Sequence, residues 1–197
     1  RQMRMHRSLI GSVLAVGCIL LAGPDQAVAQ GQAVRPLEIR RVDGKPEPTP
    51  VYGVKGANTS AKSKDWFRAY AEYDTEADWT DDLSFTFYIR VKGRTRDVPP
   101  YTVFRNETTY MNVPKGKGHV ADVFLHPNVI LRYGDVDAVA VEVRQGGRVV
   151  ARDGKPKPTE AWWDKFAPVQ GLLLNRSQSP FSMIDLDIQE LIKPTQP

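Results

Sequence analysis

The clearest pattern in the chain is a strict alternation over residues 83–91. Leu83, Phe85, Phe87, Ile89 and Val91 fall on one face, and Ser84, Thr86, Tyr88 and Arg90 on the other. Five apolar residues at period two place one face of a strand in a core, whereas a helix would scatter them around its circumference. The run DWFRAYAEYD before it sets Phe67, Ala69, Ala71 and Tyr73 against Trp66, Arg68, Tyr70 and Glu72, and predicts a strand from Asp65. VDAVAVEVRQGGRVVAR predicts a hairpin, with Val139, Val141 and Val143 on one face and Gln145-Gly146-Gly147 as its turn.

Between these segments KGRTRDVPP reads as a turn, YTVFRNETTYMNV as β-rich, PKGKG as a tight basic turn, HVADVFLH as its returning strand and RYGD as a breaker. Short strands with turn clusters between them are the signature of an all-β sandwich. Past the hairpin, Thr159 is placed to cap a short helix over EAWWDKF, since its hydroxyl can accept from a free amide of the first turn. GLLLN reads as a brief buried strand, RSQSP as a loop, and FSMIDLDIQELI as a strand or, preferably, a short helix. Ahead of Asp65, VRPLEIRRV (34–42) reads as an edge strand with Leu37 and Ile39 on one face, because Pro36 limits its pairing. DGKPEPTP is an extended connector and 54–64 a loop. The predicted organisation is therefore an extended segment over 30–64, followed by an antiparallel β-sandwich over 65–197 with one or two short helices near the C-terminus.

Residues 1–29 read as a signal peptide: the basic start RQMRMHR, the apolar stretch SLIGSVLAVGCILLAG, and small residues at Ala27 and Ala29 before a cut after Ala29. The apolar stretch falls short of the roughly 20 residues of a membrane helix. Cys18 sits in a poor lipoprotein context, and a prepilin glutamate is missing from 9–22. The expectation is an exported protein of the periplasm or cell surface, with no membrane span after cleavage. Removing Arg1, Arg4, Arg7 and Asp25 reduces 27 basic and 23 acidic side chains by three and one, leaving a net charge of only +2. So slight an excess argues against nucleic acid as a partner. Cys18, the single cysteine, leaves with the leader, so the mature chain has neither disulfide nor thiolate metal site.

Candidate chemistry is sparse. His119 and His126, an odd number of positions apart on one expected strand, face opposite sides and cannot share a metal. The run DTEADWTDD offers Asp74, Glu76, Asp78, Asp81 and Asp82 as calcium ligands, but lacks the glycine and closing glutamate of the recognised calcium loop and reads as a solvated acidic turn. Asp135 with Asp137, and Asp185 with Asp187, lack a partner acid and read as caps and surface. The chain contains no G-x-S-x-G elbow, no S-x-x-K and no P-loop spacing. No catalytic residue and no cofactor is assigned. Arg144, Arg148, Arg152, Lys155 and Lys157 give the hairpin a basic surface, and Asn58, Asn106 and Asn175 open N-x-S/T sequons. Trp162 and Trp163 are adjacent, so one is expected in the core and the other on a partner surface.

DWTDDLSFTFYIRV, TYMNVPKGKGHVADVFLHP with the following RYG, and LLLNRSQSPF resemble an immunoglobulin-like, pilus-associated family. That family belongs to exported proteins of Akkermansia and related Verrucomicrobia, Planctomycetes and Lentisphaerae. The resemblance covers about residues 65–182, with Asn112–Gly116 and His126-Pro127 its most specific part. It implies an immunoglobulin-like sandwich tied to type IV pili or the cell surface, without known catalysis, and without a prepilin leader an accessory role rather than that of major pilin. No binding residues carry over. The expected function is a non-enzymatic structural or interaction protein with protein partners in an envelope or pilus assembly, its oligomeric state left open. Leu37, Ile39, Trp162 and Trp163 are the interface candidates. The alternative is a carbohydrate- or calcium-binding module using the acidic run 74–82.

Overall fold

The computed structural model describes residues 37–52, 63–185 and 189–194, and the structural statements below concern those residues. The leader over 1–29, with Cys18, the start of the 34–42 strand, Asn58 and Asp187 lie outside them.

The described residues form strands β1 (Leu37–Pro48), β2 (Asp65–Thr80), β3 (Leu83–Lys92), β4 (Tyr101–Met111), β5 (Val113–Leu125), β6 (Asp135–Gln145), β7 (Arg148–Lys155), β8 (Leu173–Asn175) and β9 (Leu191–Ile192), with one helix, α1 (Pro127–Tyr133). They build two antiparallel sheets, β1-β2-β5-β8 and β7-β6-β3-β4-β9. The all-β sandwich read from the sequence is the observed fold. Its orders β1-β2-β5 and β7-β6-β3-β4 follow the A-B-E and G-F-C-C′ arrangement of immunoglobulin-like sandwiches.

The core explains the alternation. Leu83, Phe85, Phe87, Ile89 and Val91 on β3 are fully buried, and Tyr73 of β2 meets Phe85 across the two sheets at 4.8 Å between ring centroids. Burial of each such side chain is worth roughly 1.5–3 kcal/mol. Val139, Val141 and Val143 face the same interior from β6. The β6–β7 hairpin turns on Gly146 and Gly147, both at positive φ (55° and 77°), the geometry a two-residue turn needs to match strand twist.

Several boundaries differ from the sequence reading. The connector DGKPEPTP is strand as far as Pro48: β1 pairs with β2 from Leu37↔Thr75 to Pro48↔Asp65, so this segment is the first strand of the sandwich rather than a leader to it. Pro46 and Pro48 are tolerated because β1 is an edge strand with β2 on one side only. β2 runs on to Thr80 through two register shifts, which makes most of the acidic run strand rather than loop. PKGKG lies inside β5, and the turn falls earlier, on Asn112 (φ 53°). Asn is among the few non-glycine residues that enter this region readily.

The helix is also displaced. Instead of lying near the C-terminus it is α1, started by His126, whose Nδ1 accepts from the Asn128 amide at 3.0 Å, with Pro127 in the first turn. It ends at Gly134 (φ 131°), where a Cβ would come within 2.0 Å of the Lys92 carbonyl oxygen. Over Trp162–Lys165 there is only a 3₁₀ turn with no side-chain cap, so Thr159 does not play the role read for it. The final segment adds Leu191–Ile192 to β4 as a short strand, and no helix forms there among the described residues. No helix among the described residues is long and apolar enough to cross a membrane.

Candidate functional site

β1 and β7 are edge strands of opposite sheets and run beside one another, without a backbone ladder between them. Two cavities open on this side of the sandwich. One, of about 650 Å³, lies between Leu37–Ile39 of β1 and Val150–Asp153 of β7. The other, of about 510 Å³, is lined by Gly44, Phe67, Val136, Val139 and Pro156. Asp43 and Lys155 belong to the lining of the second, with Lys155 Nζ 2.6 Å from Asp43 Oδ1. Lys155 and Arg41 beside Asp43 hold its carboxyl far below the usual carboxylate range.

The four interface candidates separate into enclosed and accessible residues. Leu37 is buried in the main core and Ile39 is half-buried against it. Trp163 is buried, its ring stacked on Tyr88 of β3 at 5.4 Å. Trp162 is half-buried, with the Arg90 guanidinium 4.9 Å from its ring centroid. Of the tryptophan pair, then, one is core and the other reaches solvent. The sequence patterning passed over Trp79, which is 68% exposed near the end of β2.

The carboxylates of the acidic run are not brought together. Asp74 accepts from Arg40 Nη2 at 2.6 Å and from the Gly118 amide at 3.0 Å, and the Gly118 bond and the arginine lower its pKa. Asp81 accepts from the Asn112 amide at 2.8 Å, and Asp82 pairs with Lys193 at 2.5 Å. Glu76 lies 3.8 Å from Lys115, and Asp78 is exposed. Among the described residues no three His, Cys, Asp or Glu side chains group as metal ligands. Asp135 and Asp137 are likewise paired, with Arg94 and Arg90 at 2.5 Å each. Asp185 is exposed.

The two histidines have separate surroundings. His126 caps α1 and packs edge-on against Trp66 at 4.7 Å. His119 joins three elements: its Nδ1 lies 2.5 Å from Glu190 Oε1 and its Nε2 3.2 Å from Thr75 Oγ1. Acid, histidine and hydroxyl in that order resemble a nucleophile triad, drawn from positions too distant in sequence for a motif to flag. Thr75 is nevertheless buried. Its hydroxyl donates to the Pro114 carbonyl at 2.7 Å and accepts from the Gly116 amide at 3.0 Å, so its proton is held by a carbonyl rather than offered to the histidine, and its burial leaves no approach path for attack. The group ties the C-terminal segment to β5.

The basic hairpin is partly neutralised by its own fold. Buried Glu142 receives Arg144 and Arg152, each at 2.6 Å, leaving Arg148 and Lys157 exposed. Two sequons are occupied by structure: Asn106 donates to the Leu173 carbonyl at 2.8 Å, and the half-turn after Asn175 is capped by its side chain.

A family model matches residues 27–196, nearly the whole chain. The chain belongs to that family. The family match takes in β1 as well as the strands from β2 onward, in keeping with the unbroken β1–β2 ladder. A crystal structure of a protein from Akkermansia muciniphila is similar at 25% identity and a TM-score of 0.69, over 81% of this chain and 94% of that one. Among curated proteins no significant match is found.

Proposed function

We propose that this protein is an exported, non-enzymatic β-sandwich that works as a structural or interaction component of a cell-surface or pilus-associated assembly. The observation that carries the reading is the pair of open sheet edges, β1 and β7, on one side of the molecule. An open edge offers unpaired amides and carbonyls to an added strand. Prolines and charges on β1 restrict such pairing to partners that fit. The burial of Thr75 within the triad-like group supports a role without catalysis. Mass spectrometry on sheared surface filaments and, separately, on soluble periplasm tests it. Enrichment with filament subunits is expected, and recovery from the periplasm alone refutes it.

A second reading, a carbohydrate-binding module, is favoured by Trp79, an exposed indole with Asp78 and Asp81 near it in sequence. Indole faces present large amphipathic contact areas to ligands. On this reading Trp79→Ala abolishes retardation in polysaccharide-containing native gels, and unchanged retardation removes the site.

A further inference from the structure

The cavity between the first half of β1 and the middle of β7 has the features of a strand-binding groove. Its floor is apolar, from Leu37, Ile39, Val150 and Ala151. Its walls are two sheet edges, β1 on the side away from β2 and β7 on the side away from β6. An edge strand presents alternate amides and carbonyls to the open side. The groove measures about 650 Å³, and the Lys155–Asp43 pair lies farther along the same two strands, in the lining of the neighbouring cavity.

The rim carries a definite charge. Glu38, Asp74, Glu76 and Asp153 line it against Arg152 and Lys157. Arg152 is engaged by Glu142 at 2.6 Å, and Asp74 is matched by Arg40 at 2.6 Å. Arg40 is 3.7 Å from Glu38 and Lys115 is 3.8 Å from Glu76, both long contacts between exposed side chains. Such pairs are weak and solvent-screened. The groove therefore combines an apolar floor and two sheet edges with a lining of four carboxylates against two cations.

We propose that this groove docks an extended peptide strand of a partner protein in which apolar residues alternate with lysine or arginine. Main-chain hydrogen bonds to a sheet edge supply affinity, and alternate side chains supply selection: one set enters the apolar floor and the other meets the acidic rim. The inference rests on the assembly reading above and gives the partner segment its chemistry.

The test uses the mature chain and two fluorescein-labelled nine-residue probes, one alternating valine with lysine and the other valine with glutamate. Fluorescence anisotropy at low salt is expected to show at least tenfold tighter binding of the lysine probe. That preference is expected to fall as salt is raised, because rim charges are screened over about 10 Å at 0.1 M. The double variant Glu38→Lys with Glu76→Lys, both at exposed positions, is expected to erase the preference at an unchanged melting temperature. Amide shift mapping with the lysine probe is expected to perturb Leu37–Ile39 and Val150–Asp153. Equal affinity for both probes, no binding, a preference that survives the double variant, or shifts elsewhere would each overturn the proposal. Filament cofractionation tests the assembly reading separately, so the two can fail independently.

Discussion

Lys155 Nζ lies 2.6 Å from Asp43 Oδ1, so a lysine at the end of β7 and an aspartate in the middle of β1 join two edge strands that share no backbone ladder. Arg41 Nη2 at 2.6 Å and the Gly44 amide at 2.8 Å complete the aspartate's surroundings. Its carboxyl is held far below the ordinary value of about 4.

A group whose folded pKa is depressed contributes stability above its unfolded value and loses it as pH falls toward the folded one. Asp43→Asn is therefore expected to cost about 1 kcal/mol at neutral pH, allowing for the exposure of the lysine. That is a fall in Tm of roughly 2–4 °C for a domain of this size. The gap between parent and variant is expected to narrow as pH drops from about 4 to 2. Thermal melts across pH 2–7 check this, and a gap independent of pH would show that the ion pair contributes nothing.

Phe85 meets Tyr73 at 4.8 Å, Tyr110 at 5.6 Å edge-on and Phe87 at 6.4 Å, and is fully buried between the sheets. Phe85→Ala removes one of the largest side chains of the core and leaves a cavity among rigid rings, at an expected cost of about 3–5 kcal/mol. Urea unfolding is expected to show a lowered midpoint with an unchanged slope, since the surface exposed on unfolding hardly alters.

The parts of the fold legible in the sequence are those where burial has a strict period. Residues 83–91 and 139–143 announce their faces because each alternate side chain enters one core. The acidic run resists this reading because β2 carries bulges there, and a single register shift exchanges the faces of all residues beyond it. PKGKG looks like a turn by composition but pairs with the irregular part of β2, with Gly118 (φ 75°) bending the strand. Helix α1 carried a usable signal in Pro127 at its start and Gly134 at its end, spread over too few residues for an amphipathic period to show. The candidate groove was half legible: Leu37 and Ile39 were visible as one face of an edge strand, while their meeting with β7 is tertiary and has no local mark.

The C-terminal segment is held by a buried charge cluster. Asp122 receives Arg68 Nη2 at 2.8 Å and Arg176 Nε at 3.0 Å, and Arg176 also reaches the Phe181 carbonyl at 3.4 Å. Phe181 in turn stacks on Phe124 at 4.4 Å. Arg176→Ala leaves Asp122 with one partner in a buried setting, at an expected cost of about 3 kcal/mol. Limited proteolysis is expected to cut residues 181–185 much faster in the variant, while the β6–β7 hairpin keeps its resistance. Equal cutting at both places would mean that the whole sandwich, and not this segment, depends on Arg176.

Calcium provides the sharpest check on the acidic run. Calcium takes six to eight oxygens at about 2.3–2.6 Å, and a site must bring several carboxylates to one point. Here Asp74 is held by Arg40 and Gly118, Asp81 by Asn112 and Asp82 by Lys193. Binding would require these contacts to break, with Asp74 leaving the arginine that balances it. A ligand that binds only the folded state must raise Tm in proportion to the logarithm of its concentration above Kd. Millimolar calcium is therefore expected to leave Tm unchanged, both in the parent and in an Arg40→Ala variant that frees Asp74. A rise in the variant alone would show that Arg40 occupies the place of a cation, whereas a rise in the parent would mean that residues 74–82 rearrange around calcium and would return the protein to the binding-module reading.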